Sequence, residues 1–325
     1  MWQATHKVSR PVKTFALSYV SQTDPVWKRS IMRAIENFSG RRRLLPIYHQ
    51  WKERATSNPR MMNDLLDLIG TRLSINAPAW PPSLPADTPL VMVGNHPFGI
   101  GDGIAMLALA EQLGRPYRVL INADFLRIPE IRPYALPIDF SGTREAIQTN
   151  LDTRKEARRA LKEGITLIVF PGGGVATADR VFGKAEELPW KTFTARLIQD
   201  AEASVLPIYF EGQNSAFFHF VSHYSLGLRL ALLVSEFRRT VGAEIYAHIG
   251  APIAYQTLAA RHDRVLLTEE LYINVHRLAP GAADLPDELL RPTPPSKRRR
   301  YPWDPPARTG SSPITATARE TSDAF

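Results

Sequence analysis

The stretch PLVMVGNHPFGIGDG, Pro89 to Gly103, constrains this chain more than any other. Its apolar opening, Leu90 to Val93, reads as a buried strand, which breaks into a Gly- and Pro-rich turn carrying one His and one Asp. In an α/β fold the loops at the carboxyl ends of strands line the ligand crevice, which puts His96 and Asp102 where chemistry is done. Five residues separate them, Gly99 and Gly101 among them, so the turn can fold back until the Asp102 carboxylate meets one imidazole nitrogen. Such a contact fixes the tautomer and leaves the other nitrogen basic. The competing reading of the same residues is an ordinary histidine in a glycine-rich turn.

The rest of the chain supplies the alternation that an α/β domain needs. A helix is expected over Ile104–Leu113, then strands over Tyr117–Ile121 and Ala135–Phe140 and a charged helix over Arg144–Gly164. Thr166–Phe170 reads as a strand ending in a second glycine-rich turn, Pro171-Gly172-Gly173-Gly174. Pro189–Ala203 and His223–Arg239 have helical character, Val205–Phe210 and Glu244–Ile249 strand character. This order predicts an α/β fold with a largely parallel sheet flanked by helices. A proline-rich stretch at 77–89 marks a boundary. It separates a basic amphipathic helical region (1–80) from a catalytic domain (81–280), and a Pro-rich tail (281–325) is expected to be disordered.

Charge is unevenly placed. Residues 1–60 hold 12 Lys and Arg against 3 Asp and Glu, whereas the remaining 265 residues hold 28 against 29. Residues 1–25 are expected to form an arm, and Trp27, Ile31, Ala34, Ile35 and Phe38 then recur at helical spacing among basic residues. Arg41, Arg42 and Arg43 lead into a second apolar set, Leu44, Ile47, Tyr48 and Trp51, with a third from Met61 to Leu73. Two readings stay open for these helices: a basic, aromatic-anchored surface lying on anionic lipid, or a cap packed on the catalytic domain. The cluster Lys297-Arg298-Arg299-Arg300 is read as a solvated run.

Several chemistries are excluded or disfavoured. The chain has no cysteine, which rules out disulfides, thiolate nucleophiles and cysteine metal sites and fits a reducing compartment. No uncharged apolar run reaches the roughly 20 residues of a spanning helix, and the amino terminus lacks the apolar core of a secretion signal. Gly183-Lys184 is not preceded by glycine at the spacing of a nucleotide P-loop, and Gly99, Gly101 and Gly103 do not match the dinucleotide fingerprint. The absence of a Gly-x-Ser-x-Gly elbow disfavours a covalent serine mechanism. His219 and His223, four apart, have the spacing of two metal ligands but no third, so no metal site is expected.

Asn95-His96-Pro97-Phe98-Gly99-Ile100-Gly101-Asp102-Gly103 resembles the His/Asp motif of the glycerolipid acyltransferases, the lysophosphatidate acyltransferase superfamily, in its bacterial haemolysin-like branch. The best-known members place four residues between His and Asp; that branch commonly places five, as here. Ile128-Pro129-Glu130 with Arg132-Pro133 is similar to the second motif, and Phe170-Pro171-Gly172-Gly173-Gly174 to the third. Val205-Leu206-Pro207-Ile208 is similar to the apolar-proline fourth, and Gly212-Gln213-Asn214-Ser215 follows as in the branch. The resemblance runs in order from about Leu90 to Ile253. It departs at the third motif, where the usual Glu and Arg, associated with the acceptor's phosphate, are Gly172 and Val175.

The resemblance implies an O-acyltransferase that moves a fatty acyl group from acyl-CoA or acyl-carrier protein to the hydroxyl of a lysolipid. His96 is the expected general base and Asp102 its partner, with Asn95, Gly99, Arg132, Pro171, Gly172, Gly173, Gly174, Arg180 and Lys184 around the substrates. No metal or other cofactor is required. Arg180 or Lys184 would replace the missing arginine if the acceptor is 1-acylglycerol-3-phosphate, the family's habit; otherwise the acceptor lacks phosphate, as lyso-ornithine lipid does. The expected partners are the lysolipid, the thioester donor and an anionic membrane surface, with nucleic acid set aside and a cytoplasmic, peripheral place on the inner face of the cell membrane. The alternative from another class is a non-catalytic membrane-surface or nucleic-acid-binding protein using the basic front.

Overall fold

The computed structural model describes residues 41–55, 58–85, 87–294 and 296–301. Helices α1 (Arg41–Ala55) and α2 (Met61–Leu68) lead into strand β1 (Arg72–Asn76). Then come β2 (Leu90–Gly94), α3 (Ile100–Gln112), β3 (Tyr117–Asn122), β4 (Ala135–Ile138), α4 (Arg144–Lys162) and β5 (Thr166–Val169). Two short strands, β6 (Thr177–Ala178) and β7 (Ala185–Glu186), form a hairpin ahead of α5 (Phe193–Ala201) and β8 (Ser204–Phe210). The remainder is α6 (Ala216–Ser222), α7 (Leu226–Thr240), β9 (Glu244–Ile249), α8 (Tyr255–Leu258), α9 (Arg264–His276) and α10 (Asp287–Leu290).

The main sheet has seven strands in the order β1-β9-β8-β2-β5-β3-β4, and every neighbouring pair is parallel except β8 with β9. Strand β2 lies between β5 and β8, so the turns that leave these three strands share one carboxyl edge. The apolar run of β2 is buried on both faces. Leu90 and Met92 pack with Met62, Met106 and Leu109 of α2 and α3, while Val91 and Val93 meet Leu161, Ile198 and Leu271 of α4, α5 and α9. A strand sandwiched between two helical layers must be apolar throughout, as this one is, and each fully buried side chain of this kind contributes about 1.5–3 kcal/mol. Among the described residues no helix is long and apolar enough to cross a membrane.

Three elements differ from expectation, and one open reading is decided. The helical set Met61–Leu73 stops at Leu68, and residues 72–76 instead form β1, paired in register with β9 at the sheet's edge. Apolar residues of α1 face inward: Trp51 is in the main core, its Nε1 donating to the Met61 carbonyl at 2.7 Å, with Ile47 and Tyr48 packed alongside. That helix is therefore a cap, while the expected helix from Trp27 to Phe38 lies outside the described residues. The tail is corrected up to Tyr301, because Ala282, Leu290 and Tyr301 are buried and α10 is tied down by Arg277 on Asp287 and Arg291 on Glu269, while 302–325 lies outside the described residues. Finally, the helix expected over His223–Arg239 begins later than expected. His219 sits in α6, His223 caps it, and α7 begins at Leu226.

Candidate active site

The pair singled out from sequence is brought together. His96 Nδ1 stands 3.0 Å from Asp102 Oδ1, and neither atom has another hydrogen-bond partner among the described residues. Asp102 is fully buried while the His96 side chain keeps 17% of its surface exposed, so one partner is held and the other can meet a substrate. Helix α3 starts four residues earlier than expected, which moves Asp102 from the turn onto the helix's first turn. There its second oxygen accepts the Phe98 N–H at 2.8 Å, which fixes the orientation of the carboxylate. A carboxylate facing Nδ1 holds the proton there and leaves Nε2 as the base.

The connection between them depends on Gly99. It has φ +86°, and a Cβ there would stand 2.9 Å from Val175 Cγ2, so both backbone conformation and close packing require glycine. The imidazole stacks on Phe170 with ring centroids 4.2 Å apart, which ties the His96 ring to the second glycine-rich turn. His96's carbonyl accepts the Ala176 N–H at 2.8 Å, joining the two turns through the backbone. Pro171 and Gly172 are buried, whereas Gly173 is exposed. Gly173 donates to the Phe170 carbonyl at 2.9 Å, and among the described residues no acceptor meets the N–H of Gly172 or Gly174.

One functional neighbour escaped the sequence reading. Glu187 lies 91 residues from His96, yet its Oε1 accepts the His96 N–H at 2.7 Å and its Oε2 accepts Trp190 Nε1–H at 2.7 Å. Burial pushes its carboxyl up to about 7, against the opposing pull of those two donors. His276 Nε2 is 3.7 Å away, and burial pushes that imidazole down to about 4. No motif marks Glu187. The only signal for it was an acidic residue in a short stretch otherwise made of Leu188, Pro189 and Trp190.

The remaining candidates divide between structural and exposed roles. Asn95 is buried and clamps β2 to β8, donating to the Phe210 carbonyl at 2.9 Å and accepting its N–H at 2.6 Å. Gly212 has φ +119° and lies against the Phe98 ring, where a Cβ would come within 2.6 Å. Arg132 is exposed and donates to the Leu126 carbonyl at 2.6 Å. Arg180 and Lys184 are both exposed on the tip of the β6–β7 hairpin. Val175 points into a buried apolar cluster with Phe218, Leu232 and Leu233. A buried guanidinium is nearby, but it comes from α7: Arg229 donates to the Val175 carbonyl and to Thr177 Oγ1, each at 2.5 Å. His219 Nδ1 accepts the Ala178 N–H at 3.3 Å, and His223 Nε2 is bonded to the Ala178 carbonyl at 2.8 Å, so both imidazoles hold strand β6. A surface hollow of about 400 Å³, bounded by Pro89, Glu202 and Ser204, opens at the amino ends of β2 and β8, the edge remote from His96.

A family model described as "Acyltransferase" matches residues 83–260. The chain is similar to the lyso-glycine lipid O-acyltransferase of Phocaeicola vulgatus, with 29% identity over 186 residues that cover 54% of this chain and 63% of that protein. The protein of the same name from Bacteroides thetaiotaomicron matches at 29% identity, covering 54% of this chain and 64% of its own length. The chain thus spans under two thirds of the curated relatives it matches. Among solved structures it is similar to the 1-acyl-sn-glycerophosphate acyltransferase PlsC of Thermotoga maritima, with a TM-score of 0.46 and 14% identity, over 77% of this chain and 97% of that one.

Proposed function

The chain belongs to the acyltransferase family, and from that premise we propose that it transfers a fatty acyl group from a thioester to the hydroxyl of a lysolipid. The observation that carries this reading is the His96–Asp102 contact of 3.0 Å at the end of β2, flanked by a glycine turn with unpaired N–H groups. The acceptor hydroxyl gives its proton to His96 Nε2 as its oxygen attacks the thioester carbonyl, and Asp102 stabilises the imidazolium that results. The N–H groups of Gly172 and Gly174 are suited to the oxyanion that forms. When the C–S bond breaks, His96 returns the proton to the departing thiolate. Acyl-CoA or acyl-carrier protein enters as a donor substrate, and no step calls for a resident cofactor. The cytoplasmic side of the cell membrane, where both donors are made, is the place this reading assigns.

For the acceptor, the proposal is a lysolipid with an amino-acid headgroup rather than a phosphate. Val175 is turned into an apolar cluster, and Arg229 uses its guanidinium on the protein backbone. Without a bidentate partner a bound phosphate forgoes a charged hydrogen bond of about 1.5–3 kcal/mol. The names of the two lyso-glycine lipid relatives point the same way. The test is acyl transfer to a lyso-amino-acid lipid and to lysophosphatidate, in wild type and His96→Ala. The expected result is preference for the amino-acid acceptor and a loss of about 10²–10⁴-fold without the imidazole. Retention of more than a tenth of the activity by His96→Ala would sink the mechanism. Preference for lysophosphatidate that disappears in Lys184→Ala would sink the acceptor assignment and return the hairpin lysine to the site.

A further inference from the structure

Helix α6 is clamped on one side only. Its inner residues Phe218 and His219 are buried, and His219 and His223 grip Ala178 of the hairpin. Phe217, Phe220 and Tyr224 recur at helical spacing on the other side, where Phe217 and Tyr224 are 61% and 64% exposed and the rings of Phe220 and Tyr224 lie 5.2 Å apart. The hairpin that His219 and His223 grip carries at its tip Phe182, 93% exposed, between the exposed Arg180 and Lys184. Gln213, just ahead of α6, holds that tip in place by donating to the Gly183 carbonyl at 3.0 Å and accepting the Ala185 N–H at 2.8 Å. The last described segment returns to the same spot. Tyr301 donates to Asp179 Oδ1 at 2.8 Å and stacks on His223, and the exposed Arg299 donates to the Asp179 carbonyl at 3.3 Å.

A single-sided aromatic stripe, with exposed Arg180 and Lys184 on the hairpin it is tied to and Arg299 bonded to that hairpin, has the composition of a surface that enters the headgroup layer of an anionic bilayer. Of the acidic side chains nearby, Asp179 accepts from the Tyr301 hydroxyl, Glu236 is buried and accepts from Ser215 at the start of α6, and Glu186 and Glu211 are exposed. Topology adds a second argument. The hairpin follows the carboxyl end of β5 and α6 follows that of β8, so the stripe belongs to the sheet edge that carries His96. We propose that α6 and the tip of the β6–β7 hairpin form a docking face for an anionic lipid surface, seated so that the sheet edge carrying His96 is turned toward the bilayer. Helix α1 offers no comparable face, since its apolar side is spent on the core. The docking face itself is argued from surface chemistry and tested by quenching, whereas the KM measurement rests on the acyl-transfer reading.

The absence of cysteine makes the test direct, because a single introduced cysteine is the only labelling site. Full-length Phe217→Cys, Tyr224→Cys and, on the remote helix α10, Leu289→Cys are labelled with an environment-sensitive dye. They are then mixed with phosphatidylcholine–phosphatidylglycerol vesicles containing a nitroxide lipid. Expected is at least two-fold quenching at 217 and 224, little change at 289, and loss of quenching with pure phosphatidylcholine or in high salt, which screens exposed charges. In addition, Phe217→Ser with Phe220→Ser should raise the apparent KM for a bilayer-embedded lysolipid about ten-fold and leave turnover of a short, soluble acceptor unchanged. Vesicle binding without quenching at 217 would overturn the proposal, as would equal quenching at all three positions or no binding. Shielding of the 217 label before vesicles are added would also overturn it: concentration-dependent shielding would assign the face to a second copy of the chain, and shielding relieved by deleting 302–325 to the chain's own end.

Discussion

Glu187 accepts from two donors with two oxygens, a role glutamine cannot fill, because one of its terminal atoms is itself a donor. Glu187→Gln is expected to lower kcat by about 10- to 100-fold with little change in KM, since it displaces the His96 backbone and not a substrate. Removing the competing donor in Glu187→Gln/Trp190→Phe should restore most of that loss; failure to do so would make the residue a packing element only. The same carboxyl has a pH signature. Folding raises its affinity for a proton, so its contribution to stability is fully present below the ordinary glutamate range near 4.3 and is lost as pH rises through about 7. Relative to Glu187→Gln, wild type should lose of order 3 kcal/mol across that window in denaturant unfolding. Parallel curves for the two proteins would show that the carboxyl titrates normally.

Among the elements, those buried on both faces were the legible ones. The β2 run is apolar because helices cover it on each side, and the same holds for Thr166–Val169, so both strands and the turns after them stood out. Strand β1 was hidden: it is an edge strand with exposed ends, and the helical spacing of Met61–Leu68 ran visually into it. The hairpin strands β6 and β7 have two residues each, too few for any period. For the site, His96 and Asp102 were legible because a six-residue separation within one turn puts partners together locally. Glu187 was not, since what joins it to His96 is tertiary. The packed tail shows the converse, a segment whose Pro and Arg content suggested disorder while Tyr301 reached a specific acceptor. Tyr301→Ala should therefore lower stability by about 3 kcal/mol, the usual range for removing a large buried ring. An unchanged unfolding midpoint would mean that the segment contributes nothing to the fold.

Across the whole molecule, function is concentrated at one edge of the sheet and closure of the sheet at the other end of its strand order. Strand β1 pairs with β9 across 172 residues of chain. Ribosomes add about 5–20 residues per second, so β1 leaves the exit tunnel roughly 10–30 s before its partner. During that interval Met61, Met62, Leu66 and Ile69 have no finished core to cover them, which makes the segment a natural client for a holding chaperone. In chains stalled before Glu244, a protease should cut within 61–76, and in chains stalled after the sheet is complete it should not. Protection already present before β9 is made would show that α2 and β1 dock without it. The part of this protein translated among the first to be seen in the finished fold is thus among the last to settle, and the time spent waiting, rather than the final stability, sets its exposure to aggregation.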